Sequence, residues 1–225
     1  MSYRTLKSKL FRTIGGLTVA GMVLAGVATI TAFTASSPRA ANPGDITPPP
    51  LPAGMAPVPA GNKLFLGTHA VGTQNYVCQP SGAGVAYVLF TPQATLFGED
   101  GVQIITHFNS PNPDEPNTDP KVAAPQGTIR ATWQFKDTSR VWAKVHQPNG
   151  AVTVDQEAIP WVLLDAVGHQ NGPTGGDKLT KTTFVQRLNT TGGLAPATGC
   201  SSLTDVGNKA FVPYTADYFF YQPTK

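Results

Sequence analysis

Charge and cysteine are both scarce in this chain: Asp, Glu, Lys and Arg together make up 13% of 225 residues, and there are two cysteines. The four histidines, His69, His107, His146 and His169, show no His-x-His or His-Glu-x-x-His spacing, and no Cys-x-x-Cys occurs, so no local metal site can be read and no cofactor is expected. The fragment His107-Phe108-Asn109 also occurs in copper-zinc superoxide dismutases, but the paired histidines of such a centre are missing. No Gly-x-Ser-x-Gly elbow is present, which removes the commonest cue for a serine hydrolase. Gly82-Ala83-Gly84 precedes a strand pattern instead of opening a helix, and Gly172 to Lys178 carries Asp177 where a carboxylate would repel phosphate; both read as turns. No window shows a helical apolar stripe with caps, and no repeat of fixed period is found.

Positive charge is scarce too once its position is considered. Five of the 16 basic residues (Arg4, Lys7, Lys9, Arg12 and Arg39) precede Ala41, which leaves 11 against 13 acidic residues, a net charge of −2, from Ala41 onward. Nothing there suggests nucleic-acid binding. The early basic residues are followed by an uncharged, mostly apolar run from Ile14 to Ala35 and then by small residues and proline. This is the layout of a secretory signal over residues 1–40, with cleavage expected between Ser37 and Asn42 and a secreted or periplasmic destination. An uncleaved anchor is the alternative, because the run is long enough to span a bilayer; after cleavage no stable membrane insertion is expected. The stretch Leu24 to Val27 has valine where a lipoprotein signal needs cysteine. Residues 41–61, ANPGDITPPPLPAGMAPVPAG, read as an extended linker, a spacer before one domain at 62–225.

That domain reads as all-β, a single-domain antiparallel sandwich or barrel with long loops. Thr128 to Phe135 alternates, with Ile129, Ala131, Trp133 and Phe135 on one face. Lys136 to Ser139 then turns the chain into a return strand from Arg140 to His146, with Val141, Ala143 and Val145 inward. Pro148-Asn149-Gly150 turns it again, and the pattern predicts a three-stranded meander ending near Asp155. Further strands are expected at Thr73 to Cys78, Ala86 to Phe90, Val102 to Phe108, Trp161 to Val167, Thr182 to Leu188 and Tyr214 to Tyr221. Trp161 to Leu164 is apolar on both faces and suggests a strand covered on both sides.

An even cysteine count in an exported chain points to a Cys78–Cys200 disulfide, with two separate buried thiols as the alternative. Asp165 is a lone carboxylate in an apolar strand; a structural pair with Arg187 is expected, against a catalytic role together with His107 or His169. Trp142 shares the nominally polar face of its strand with Arg140, Lys144 and His146. It reads either as an exposed anchor for a glycan or cell-envelope partner, with Arg140 and His146 beside it, or as a side chain packed under the long loop. Asp114, Glu115, Asn117 and Asp119 are calcium-type donors without EF-hand spacing, so the loop reads as solvated. Asn189-Thr190-Thr191 is a glycosylation acceptor if the source is eukaryotic.

The segments GTQNYVC (Gly72 to Cys78), TPQATLF (Thr91 to Phe97), IPWVLLDAVGH (Ile159 to His169), VQRLNTTGGLAPATGC (Val185 to Cys200) and VPYTADYFFY (Val212 to Tyr221) occur in this order along the domain. Together they resemble the exported domain-of-unknown-function family number 3455 of bacteria and fungi. The resemblance implies an exported domain without an established activity, so no catalytic residue is carried over. The chain departs from the family pattern after His107: a glycine-proline-tryptophan-like segment gives way to a longer loop, Phe108 to Gly127. The reading reached from the sequence is an extracytoplasmic binding or structural protein, with an enzyme using a His/carboxylate pocket as the alternative.

Overall fold

A computed structural model describes residues 46–117 and 127–225. The expected export signal at 1–40 and the loop residue Asp119 lie outside the described residues. Nine strands form a single antiparallel sheet: β1 (Asn62–Ser81), β2 (Gly84–Phe97), β3 (Gln103–Asn112), β4 (Thr128–Phe135), β5 (Arg140–Val145), β6 (Ala151–Val152), β7 (Trp161–Gln170), β8 (Phe184–Gly192) and β9 (Lys209–Pro223). The one helical turn among the described residues is Leu203–Asp205, and no helix among them is long and apolar enough to cross a membrane.

Between the sandwich and the barrel, the structure selects the barrel. Each strand from β1 to β5 pairs with the next, β7 to β9 do the same, β9 pairs with β1, and β5 pairs with β7 to close the ring. Closure removes the free edges that an open sheet would leave. β6 lies outside the eight-strand ring, paired only with the start of β7. This corrects the expected meander. The β4–β5 hairpin forms with its turn at Lys136 to Ser139, but the strand beside β5 is β7, not the one ending near Asp155. After the turn around Asn149, at φ 62°, only Ala151 and Val152 are extended, and they add to β7 on its other side.

Strict alternation divides each strand between barrel interior and exterior. Ala94 and Leu96 of β2, Ile105 of β3, Trp133 of β4, Val141 and Ala143 of β5, Val162 and Leu164 of β7, Val185 of β8 and Phe220 of β9 share one buried cluster. β1 runs for 20 residues, far beyond the expected Thr73 to Cys78, and is bent by bulges at Leu64/Leu66 and Asn75/Tyr76. Gly72, inside it, is required by close approach: a Cβ there would lie 2.2 Å from the Gln93 carbonyl oxygen.

The exterior is covered in two places. Leu163, Leu188, Phe219 and Tyr221 form an apolar outer face on β7, β8 and β9, and Met55 packs onto it together with Ile46, Leu51, Ala56 and Val58. The proline-rich segment is thus a strap over the barrel and not a bare spacer, because an uncovered outer face of this size would leave large apolar side chains in water. It also places the two-sided burial of Trp161 to Leu164, with Val162 and Leu164 inside the barrel and Leu163 under the strap. The second cover is the turn after β3: Glu115 accepts two hydrogen bonds from Arg130 at 2.8 Å, and Asn112 donates to Glu115 and to the Val167 carbonyl. Cys78 and Cys200 are disulfide-bonded, with Cα atoms 5.4 Å apart, tying β1 to the loop before β9.

Candidate functional site

Part of the barrel interior is filled by hydrocarbon. Part is not. A cavity of ≈ 230 Å³ remains, walled by Leu89, Pro92, Ala131, Val145, Val162 and Leu164, with Gln74, His107, Asn109, Trp133, Arg187 and Tyr218 as its polar members. Leu89 and Val145 are exposed, so this end of the barrel opens to solvent.

Register explains why these polar groups meet. His107 stands directly across from Trp133 in the β3–β4 ladder, and Arg187 across from Tyr218 in the β8–β9 ladder. Such pairs share a face, here the inner one. The imidazole stacks on the indole at 4.3 Å with 7° between planes, and Tyr218 meets both rings edge-on at 5.4 and 5.8 Å. The Tyr218 and Tyr214 hydroxyls are 3.2 Å apart.

His107 is 2% exposed. Burial, with the nearby Arg187 charge acting the same way, pushes its pKa down to about 3, against a smaller upward pull from its bond to the Thr132 carbonyl. The ring is therefore neutral at physiological pH. Nδ1 donates to Thr132 O at 2.8 Å, which leaves the lone pair on Nε2. Burial raises the Tyr218 pKa, partly offset by Arg187, and raises that of Tyr214 well above the ordinary range. Arg187 Nη2 donates to the Pro160 carbonyl at 2.9 Å. Three buried nitrogens around the cavity have no hydrogen-bond partner among the described residues: Gln74 Nε2, Trp133 Nε1 and Arg187 Nε. Buried donors are almost always satisfied, so this concentration marks the site.

The expected Asp165–Arg187 pair does not form. Arg187 is opposite Val162 and faces inward; Asp165 is opposite Phe184 and faces outward, where His146 Nδ1 lies 2.7 Å from its carboxylate. His107, His169 and Asp165 do not converge: His107 is inside the barrel, and His169 Nε2 donates to the Thr182 carbonyl. Trp142 is not an exposed anchor. It is 1% exposed and its Nε1 donates to Ser110 at 2.9 Å; opposite it in β7 is Gly168, against which the Asn112 carboxamide rests. Arg140 is occupied by Gln134, and His146 by Asp165, so these three residues do not form one open patch. Asn189 is exposed, but its Nδ2 donates to Asp217, which also pairs with His69. No cluster of three or more His, Cys, Asp or Glu capable of holding a metal is found among the described residues.

A family model described as a protein of unknown function, DUF3455, matches residues 59–222. The chain belongs to this family. The DUF3455 match starts at the end of the strap and stops within β9, so it takes in the whole barrel and its cavity. No curated protein and no solved structure matches the chain. Gln74, Trp133, Arg187 and Tyr218 were not singled out as site residues from sequence. The available signal was parity, since Arg187 is two residues from Val185 on an alternating strand.

Proposed function

We propose that this protein is an exported binding protein that holds a small molecule in the open part of its barrel. The observation that carries this reading is the set of three unpartnered nitrogens around a mostly apolar cavity. An eight-stranded barrel has room for either a full core or one small ligand, and an apolar pocket with a few convergent polar groups is the usual form of a ligand site. Binding is preferred over catalysis because His107 has no carboxylate within 4 Å; the histidines so paired among the described residues are His69 and His146. Export is supported by the basic, apolar and small-residue order of residues 1–40 and by the disulfide, which suits an oxidising compartment.

The test is a small-molecule thermal-shift screen on the purified protein beside Ala131→Phe, a substitution that fills the cavity. Ligands that raise the melting temperature of the wild type and not of the folded variant are expected. Hits that stabilise both equally would place binding elsewhere and refute the reading.

A further inference from the structure

We infer that the cavity takes a small organic carboxylate, its anionic head at Arg187, Gln74 and Trp133 and its hydrocarbon body against the apolar wall. This rests on the binding reading above and names the chemistry of the ligand.

The sign of the charge comes first. Arg187 lies at the cavity with no carboxylate within 4 Å among the described residues, since none of the ion pairs found involves it. Its neighbours do not compensate: His107 is neutral, and Tyr214 and Tyr218 are held protonated by burial. The partners the guanidinium does have are neutral: the Pro160 carbonyl accepts from Nη2 at 2.9 Å, and the Tyr218 hydroxyl also accepts from the guanidinium. A partly buried cation without a counter-charge is unfavourable, and an incoming anion removes that cost.

The hydrogen-bonding pattern agrees. All three unpartnered nitrogens, the Gln74 carboxamide NH2, the Trp133 indole N–H and the Arg187 Nε–H, can only donate. Gln74 and Trp133 are each 1% exposed, so water outside the barrel does not serve them. A carboxylate offers acceptors only, on two oxygens about as far apart as the nitrogens of a guanidinium fork.

The wall sets the remainder of the ligand. Leu89, Ala131, Val145, Val162 and Leu164 give a bare inorganic anion nothing in exchange for its hydration, whereas a hydrocarbon body gains by leaving water. An apolar cavity of about 150 Å³ is enough for benzene, and this one has ≈ 230 Å³. An aromatic or short aliphatic monocarboxylate matches that size.

Calorimetric titration with benzoate and hexanoate, with benzyl alcohol and hexan-1-ol as matched neutral probes, tests the inference. The carboxylates are expected to bind the wild type at least roughly tenfold more tightly than the alcohols. Arg187→Gln should weaken carboxylate binding by a similar factor and leave alcohol binding within about twofold. Equal affinity for both series, or an equal loss in both with Arg187→Gln, overturns the carboxylate assignment while leaving a binding cavity in place. No binding of either series at millimolar concentration, with the thermal-shift screen also empty, overturns both readings. If circular dichroism shows that Arg187→Gln is unfolded, Trp133→Phe replaces it, with selective weakening of the carboxylates as the expected result and unchanged carboxylate affinity as the refuting one.

Discussion

Between pH 6.5 and 4.5, acid should weaken this fold chiefly through His107. In the unfolded chain its imidazole titrates near the ordinary 6.5; in the barrel its pKa is about 3. Between those values the unfolded state binds a proton that the native state refuses, so stability rises with pH and is lost as pH falls below 6.5. From pH 6.5, where the unfolded imidazole is already half protonated, to pH 4.5 the loss is about 2.3 kcal/mol, a little under two pH units at about 1.36 kcal/mol each. The window stops at 4.5 because below it Glu115, held at about 2 chiefly by its hydrogen bonds from Arg130, begins to contribute with the same sign. Urea denaturation at both pH values, on wild type and on His107→Gln, isolates the effect, because glutamine cannot take up the proton and every other titrating group is common to both proteins. Wild type should lose about 2.3 kcal/mol more than the variant over this interval. Equal losses would refute the argument and mean that His107 accepts a proton in the folded barrel.

Two further outcomes follow from the covalent and ionic contacts. Reduction of Cys78–Cys200, which encloses 122 residues of sequence separation, should lower stability by about 4–5 kcal/mol in denaturant titrations with and without reductant, and an unchanged midpoint would refute a stabilising role. Asp165→Asn should cost less than about 1 kcal/mol, because its partner is the partly exposed His146, and a double-mutant cycle with Arg187→Gln should show no coupling; a coupling above about 0.5 kcal/mol would contradict the placement of these residues on opposite faces.

Local pattern was legible where apolar and polar residues alternate. In Thr128 to Phe135, Trp133 reads inward from sequence and is inward in the barrel, although Thr132 on the other face is buried as well. What could not be read is which strands meet. Asp165 and Arg187 both sit in apolar strands, and proximity in type suggested a pair; the ladder sets Arg187 opposite Val162, so the two side chains leave the sheet on opposite sides. Register is a long-range property, and a difference of one residue reverses the face. Two other features were not legible. The strand expected at Thr73 to Cys78 is part of a 20-residue strand that runs through Gly72, which is there for close strand approach. The proline-rich segment read as a spacer, but Ile46, Leu51, Met55 and Val58 recur along it and cover the outer face of β7 to β9.

The interior polar group is where sequence pattern and packing part company, and the energetics say why this matters. Leu96, Ile105, Val185 and Phe220 show that the same strands can fill their part of the barrel with hydrocarbon. Arg187 is two residues from Val185 and Tyr218 two from Phe220, so the change from filled to open takes one step along each strand. A chain under pressure for stability alone would continue the apolar set, since each buried donor left without a partner costs about 1–3 kcal/mol. Three such donors around one cavity are groups that an occupant bearing acceptors would pair. The gain on filling the site would therefore come from satisfying the barrel's own orphaned groups as well as from burying the ligand, and it would be largest for a molecule that meets all three nitrogens at once.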